Sequence, residues 1–205
     1  MGQIVTAVYD ANILYPAPLR DLFIRIAQAG LVQARWTETI HDEWLGSVLK
    51  DSPHLSSDRL ARTRGLMNEA VRDCLVTGYE GLIPSLALPD PDDRHVLAAA
   101  ICAGASVIVT RNLKDFPNES IVRYGIEAQS PDDFLLGLIE LAPGLVCAAV
   151  KRQRESLRNP SKSTAELLAT LESQGLIQSG RPTASARGAA LVWLCPRLSL
   201  QCRSA

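Results

Sequence analysis

The chain has 205 residues, 47% of them apolar and 5% aromatic, with a formal net charge of -1. That length supports one domain of ordinary size with a small appendage, and the absence of any eighteen-residue apolar run excludes a membrane-spanning helix. Five cysteines, odd in number and without a CxxC pair, read as buried reduced thiols of a cytoplasmic protein, with Cys74 and Cys102 on predicted apolar helix faces.

The first residues, MGQIVT, fit a loose myristoylation pattern but no signal peptide. Ile4, Val5, Ala7 and Val8 read better as the first core strand, IVTAVYD, buried on both faces and ending in Asp10. Leu19, Leu22, Phe23, Ile26 and Ala27 then recur at helical spacing ahead of Gly30. LVQARW (31–36) predicts a shorter strand. Thr37 or Thr39 starts a helix carrying Ile40, Trp44, Leu45, Val48 and Leu49. Ser57 caps another, with Leu60, Met67, Ala70, Val71 and Cys74 inward.

LIPSLALPD (82–90) reads as extended. A helix is predicted over 92–103, stopped by Gly104, followed by strands at SVIVT (106–110) and IEAQ (126–129). SPDDFLLGLIEL opens the next helix with Ser130 as cap, Pro131 at the first position and Asp133 as capping partner. Two more helices follow, GLVCAAVKRQRESL and STAELLATLESQG. The last 25 residues contain no acid and no periodicity.

Strands alternating with helices imply parallel crossovers, hence a three-layer α/β/α domain around a parallel sheet over 1–136. A small helical extension over 137–178 and a poorly ordered tail over 179–205 complete the expected division. The two parts differ in charge. Residues 1–136 hold 12 Lys and Arg against 18 Asp and Glu, and residues 137–205 hold 9 against 4. An acidic front suits a cation, and a basic rear suits a polyanion.

Asp90, Asp92 and Asp93 crowd into four positions directly ahead of the apolar run HVLAAA. Repulsion and desolvation oppose that placement, so the carboxylates lie in solvent at a helix start or something positive sits among them. In an open parallel sheet ligands gather at the carboxyl ends of strands. Asp10 ends the first strand, Asp115 follows SVIVT, Asp93 opens the helix feeding that strand, and Glu43 edges an apolar face beside Trp44. Singly, Asp93 reads as a helix cap, Glu43 as a solvated residue and Asp115 as a turn residue. Together the four carboxylates suit a hard divalent cation, which takes oxygen ligands. His95 is expected to point away from Asp93, and His41 and His54 to lie outside the chemistry. Lys151, Arg152, Arg154, Arg158 and Lys162 form a basic run suited to phosphate contacts, to an acidic protein partner, or merely to solvent. Arg111 and Lys114 flank the acids.

VYDANIL with Asp10, HDEW with Glu43, DPDDRHVLAAA with Asp93, and VTRNLKDF with Thr110, Asn112 and Asp115 stand in the order and spacing of PIN-domain nucleases. Over roughly residues 4–136 the chain resembles VapC-type toxins of bacterial toxin–antitoxin pairs, and residues 137–178 resemble the C-terminal extension of one VapC subgroup. The resemblance implies a Mg²⁺- or Mn²⁺-dependent endoribonuclease with Asp10, Glu43 and Asp93 as catalytic metal ligands. Asp115 or Asn112 is the fourth ligand, Asn12 assists Asp10, and Asp90 and Asp92 are outer acids. Asn12, Thr110, Arg111 and Asn112 at the rim, with Lys151, Arg152 and Arg154 behind, are the substrate-binding candidates. Implied partners are RNA, a cognate antitoxin and a second copy of the chain. The alternative is a catalytically inactive PIN fold that binds RNA or protein. A haloacid-dehalogenase-like phosphatase needs a second aspartate where Asn12 stands, and a receiver domain needs paired acids near the end of its first strand; neither is present.

Overall fold

The computed structural model describes residues 4–176, so the tail expected over 179–205 lies outside the described residues. Strand β1 is Val5–Tyr9, and its last three residues are fully buried. Asp10 follows it directly. Its carboxylate accepts from the Ala11 N–H and caps a one-turn helix, α1 (Ala11–Leu14). Helix α2 (Ala17–Gln28) follows with Leu19, Leu22, Phe23 and Ile26 inward, and then β2 (Val32–Arg35).

Thr37 caps α3 (Glu38–Asp51), its hydroxyl accepting from the Ile40 N–H at 3.1 Å. Helix α4 is Ser57–Ala70, with Ser56 rather than Ser57 at the cap. Val71 and Cys74 therefore lie beyond it, and Leu75 bridges to Trp36 beside β2. Cys74 is buried as expected, but Cys102 is exposed, since it ends its helix on the outer side. The stretch expected to be extended instead holds a 3₁₀ turn, Glu80–Ser85, with Pro84 inside it. A second 3₁₀ turn, Pro91–Asp93, precedes α5 (Arg94–Cys102). Gly104, at φ +60°, supplies the left-handed stop that a side chain would disfavour.

Then come β3 (Val107–Val109), the short α6 (Asn118–Ile121) and β4 (Glu127–Gln129). Three helices close the described chain: α7 (Pro131–Leu141), α8 (Pro143–Ser156) and α9 (Thr164–Ser173). The four strands are parallel in the order β2-β1-β3-β4 with helices on both faces, a three-layer α/β/α sandwich. From β1 the chain moves outward to β2, and from β3 it moves outward the other way to β4. The crevice at the carboxyl ends of β1 and β3 is thus the switch point where such sheets hold ligands.

The expected division at residue 136/137 falls inside α7. Phe134 of α7 stacks on Phe23, 6.1 Å between centroids, and meets Tyr9 edge-on at 6.4 Å, so α7 belongs to the sheet's own core. Helices α8 and α9 pack on α2. No helix of the described residues is long and apolar enough to cross a membrane.

A buried polar network fixes α3. Trp44 Nε1 donates to His41 Nδ1 at 2.9 Å, and His41 Nε2 meets Asn68 Oδ1 at 2.9 Å, which also accepts from Trp36 Nε1. An indole N–H only donates, so Nδ1 is bare and Nε2 carries the proton. His41 is therefore a core histidine held neutral: burial pushes its pKa below the ordinary value, against the Asn68 bond and Asp42, which raise it. A base with a depressed folded pKa takes up its proton later than the unfolded chain does. Stability is thus expected to fall as pH drops below about 6.5. Following the His41 ring resonances by NMR checks this, and titration at or above the free-histidine value would contradict it.

Candidate active site

Asp10 sits where β1 ends, and its main-chain N–H extends the sheet by donating to Val109 O at 3.1 Å. Its carboxylate is buried, which pushes its pKa up. Bonds from the Thr110 hydroxyl and the Ala11 N–H oppose the rise, Glu43 adds to it, and His95 opposes it. Thr110 Oγ1 donates to Asp10 Oδ2 at 2.6 Å and Asn12 Nδ2 to the same oxygen at 2.5 Å. Asn12 Oδ1 in turn accepts from the Arg111 N–H at 3.0 Å. The ends of β1 and β3 are thus stitched together around one carboxylate. Thr110 is wholly buried and its hydroxyl faces Asp10, so it orients that acid.

Glu43 enters from α3, and Asp93 from the 3₁₀ turn that leads into α5. Asp10, Asn12, Glu43, Asp92, Asp93, Arg111 and Asn112 line one cleft of about 410 Å³, which continues past Trp44 and Ser47 to Tyr15 and Asp51. Burial pushes the Asp93 carboxyl up to about 6, and its neighbours Asp10, Asp115 and Asp90 push the same way. The three expected carboxylates therefore share one crevice at the switch point. Asp115 lies close enough to raise Asp93 but off the cleft wall, and Asn112 lies on it. Asp90 caps its own turn, accepting from the Asp92 N–H at 2.9 Å.

Among the described residues no three His, Cys, Asp or Glu side chains converge tightly enough to cage one metal ion as they stand. Asp10 is turned onto Thr110 and Asn12, and Glu43 onto His95 at 2.8 Å. Mg²⁺ needs no such cage, since it keeps several waters and takes one or two protein carboxylates at about 2.0–2.1 Å. The all-oxygen donors and the like-charge strain on Asp93 fit such a cation.

His95, expected to point away from Asp93, was left out of the site by sequence reasoning. Its ring faces Glu43 at 2.8 Å. Lys151, Arg152 and Arg154 do not line the cleft; Lys151 and Arg154 of α8 each lie 3.9 Å from Glu155. Arg111 is the basic residue on its wall, and its guanidinium donates to the main-chain carbonyl of Gln174, at the end of α9, at 2.6 Å. A separate groove of about 580 Å³ runs between α2, α4, α8 and α9 and contains none of the expected metal ligands.

Comparison with known proteins agrees with this geometry in its separate parts. Residues 6–114 match the family model described as PIN domain, and residues 131–181 match the one described as VapC50 C-terminal domain. A curated relative, "Putative ribonuclease VapC50" of Mycobacterium tuberculosis, is 39% identical over 97 residues, 47% of this chain. The match spans 57% of that relative's length. No solved structure matches the chain.

Proposed function

The chain belongs to the PIN-domain family, and on that premise we propose that it is a Mg²⁺-dependent endoribonuclease, the toxin of a toxin–antitoxin pair. The observation that carries the reading is the convergence of Asp10, Glu43 and Asp93 on one cleft at the sheet's switch point. The ribonuclease name of the curated relative and the match to its C-terminal domain support it.

A divalent cation in the cleft, Mg²⁺ or Mn²⁺, would lower the pKa of a water and neutralise charge at the scissile phosphate. The chain's own groups do the rest. Asp10, held by Thr110 and Asn12, presents a fixed carboxylate edge, and Glu43 and Asp93 face it from two other elements. Asn112 or Asp115 completes the set. Carboxylates alone repel RNA, so Arg111 on the wall takes a backbone phosphate. Lys151 and Arg152 of α8 give sequence-blind attraction farther along the strand. The antitoxin and a second copy of the chain are the protein partners of this reading, and an upstream reading frame for a short DNA-binding protein would accord with it.

The test is cleavage of a fluorescent RNA by the purified full chain. Removing divalent cations with EDTA is expected to abolish cleavage and Mg²⁺ to restore it; cleavage that continues in EDTA overturns the reading, and a chain that binds RNA without cutting it in Mg²⁺ is a binding module. Arg111→Ala is expected to raise KM for RNA about tenfold with little change in kcat, since one charge-assisted phosphate contact is worth about 1.5 kcal/mol. A KM equal to the parent's would remove Arg111 from RNA binding.

A further inference from the structure

We infer that His95 is a positioning residue that holds Glu43 toward the acidic cleft with one carboxylate oxygen left free. The inference rests on the reading of that cleft as a cation site. Glu43 stands on α3 with a side chain 40% exposed, long enough to sweep through solvent if nothing holds it. His95 is the second residue of α5, and its side chain is only 9% exposed. The ring is thus walled in, and its Nε2 is a fixed point 2.8 Å from Glu43 Oε1.

An ionised carboxylate can only accept, so Nε2 carries the proton and donates. Glu43 Oε1 is tied by that bond and Oε2 remains available to the cleft that Glu43 lines. The other ring nitrogen, Nδ1, is buried without a hydrogen-bond partner. The ring's polar contact therefore runs to Glu43, which an apolar side chain of the same size could not supply. Carboxylates that ligate metals are commonly hydrogen-bonded from behind in this way, and losing the outer partner weakens metal binding about 10- to 100-fold.

Two substitutions separate position from bulk and charge. The amide nitrogen of glutamine reaches the place of His95 Nε2, whereas that of asparagine reaches only as far as Nδ1. His95→Gln is therefore expected to bind Mn²⁺ within about threefold of the parent, read by electron paramagnetic resonance on the full chain without RNA. His95→Asn is expected to bind it about 10- to 100-fold more weakly and to need correspondingly more Mg²⁺ for half-maximal cleavage. In a Glu43→Gln background the same His95→Asn change is expected to leave Mn²⁺ affinity unmoved. Equal affinity in His95→Asn and the parent, or equal loss in both variants, overturns the inference. If His95→Asn does not fold, the comparison of His95→Gln with the parent decides it, since loss of affinity there has the same meaning. A parent that binds no Mn²⁺ overturns the cation reading itself, which is distinguishable because neither variant then matters.

Discussion

Replacing Asp93 by asparagine is expected to lower RNA cleavage on the order of 100- to 1000-fold while raising the melting temperature of the metal-free chain at pH 7.5. The two effects have one cause. The Asp93 carboxyl is pushed up to about 6 by burial and by Asp10, Asp115 and Asp90. For an acid whose folded pKa exceeds its unfolded value, stability is fully present below the unfolded pKa, near 4. It is lost as pH rises through about 6. At pH 7.5 the metal-free parent therefore carries the whole cost of a buried charge beside like charges, and the asparagine variant does not. A shift of this size would correspond to about 3 kcal/mol without screening; for a half-buried group about 1 kcal/mol is the sounder figure, or a few degrees in melting temperature.

The stability gain should shrink toward pH 4.5, where the parent's Asp93 is largely protonated as well. Added Mg²⁺ should stabilise the parent more than the variant, because a bound cation turns the repulsion into attraction. Calorimetry across pH, with and without Mg²⁺, reads all of this. A variant less stable than the metal-free parent at pH 7.5, or one that cleaves at the parental rate, would show that Asp93 is a structural cap and not part of a cation site.

Local signals in the sequence determined much of the fold. Thr37, one of the two starts its segment offered, and Ser130 with Asp133 cap the helices their spacing announces, and Ser163 with Glu166 closes a full capping box on α9. The strands were legible because short apolar runs ending in turn residues have few other uses in a chain of alternating elements. Asp10 and Asp93 were legible because each lies at an element end that the parallel topology brings to one edge, and Glu43, inside α3, because it edges an apolar face beside Trp44.

What escaped had no local signal. Helix α1 has four residues, too few to show a period, so Asp10's role as its cap was invisible. The turn at Glu80–Ser85 contains Pro84 and no repeat, which mimics extended chain. His95 was passed over because it stands two residues past Asp93, about 200° round a helix; it reaches the site through Glu43 and not through Asp93. Its partner, Glu43, comes from α3, 52 positions earlier, and no local pattern reports such a contact.

Trp44→Ala is expected to be the most damaging single truncation near the site, lowering stability by about 3–5 kcal/mol. Trp44 is fully buried between the cleft and the core, so its removal leaves a large void that α3 cannot close without moving. One polar group is stranded and another loses a neighbour. His41 Nδ1 loses its donor, and the Arg20 guanidinium, 4.6 Å above the indole, loses the ring it lies against. Arg20 also donates to Leu14 O at 2.6 Å at the end of α1, so the disturbance runs to the helix that Asp10 caps.

At about 2–4 °C per kcal/mol for a chain of this length, the melting temperature should fall by about 6–20 °C. Trp44→Phe isolates the packing from the polar part. It keeps most of the ring but leaves His41 Nδ1 unpaired, which should cost about 1–3 kcal/mol. Leu113→Ala, at a side chain 41% exposed, serves as the reference and should change stability by less than about 0.5 kcal/mol. If calorimetry places Trp44→Ala within about 1 kcal/mol of the parent, α3 is not anchored through this residue. The position of Glu43 one residue before it would then need another support.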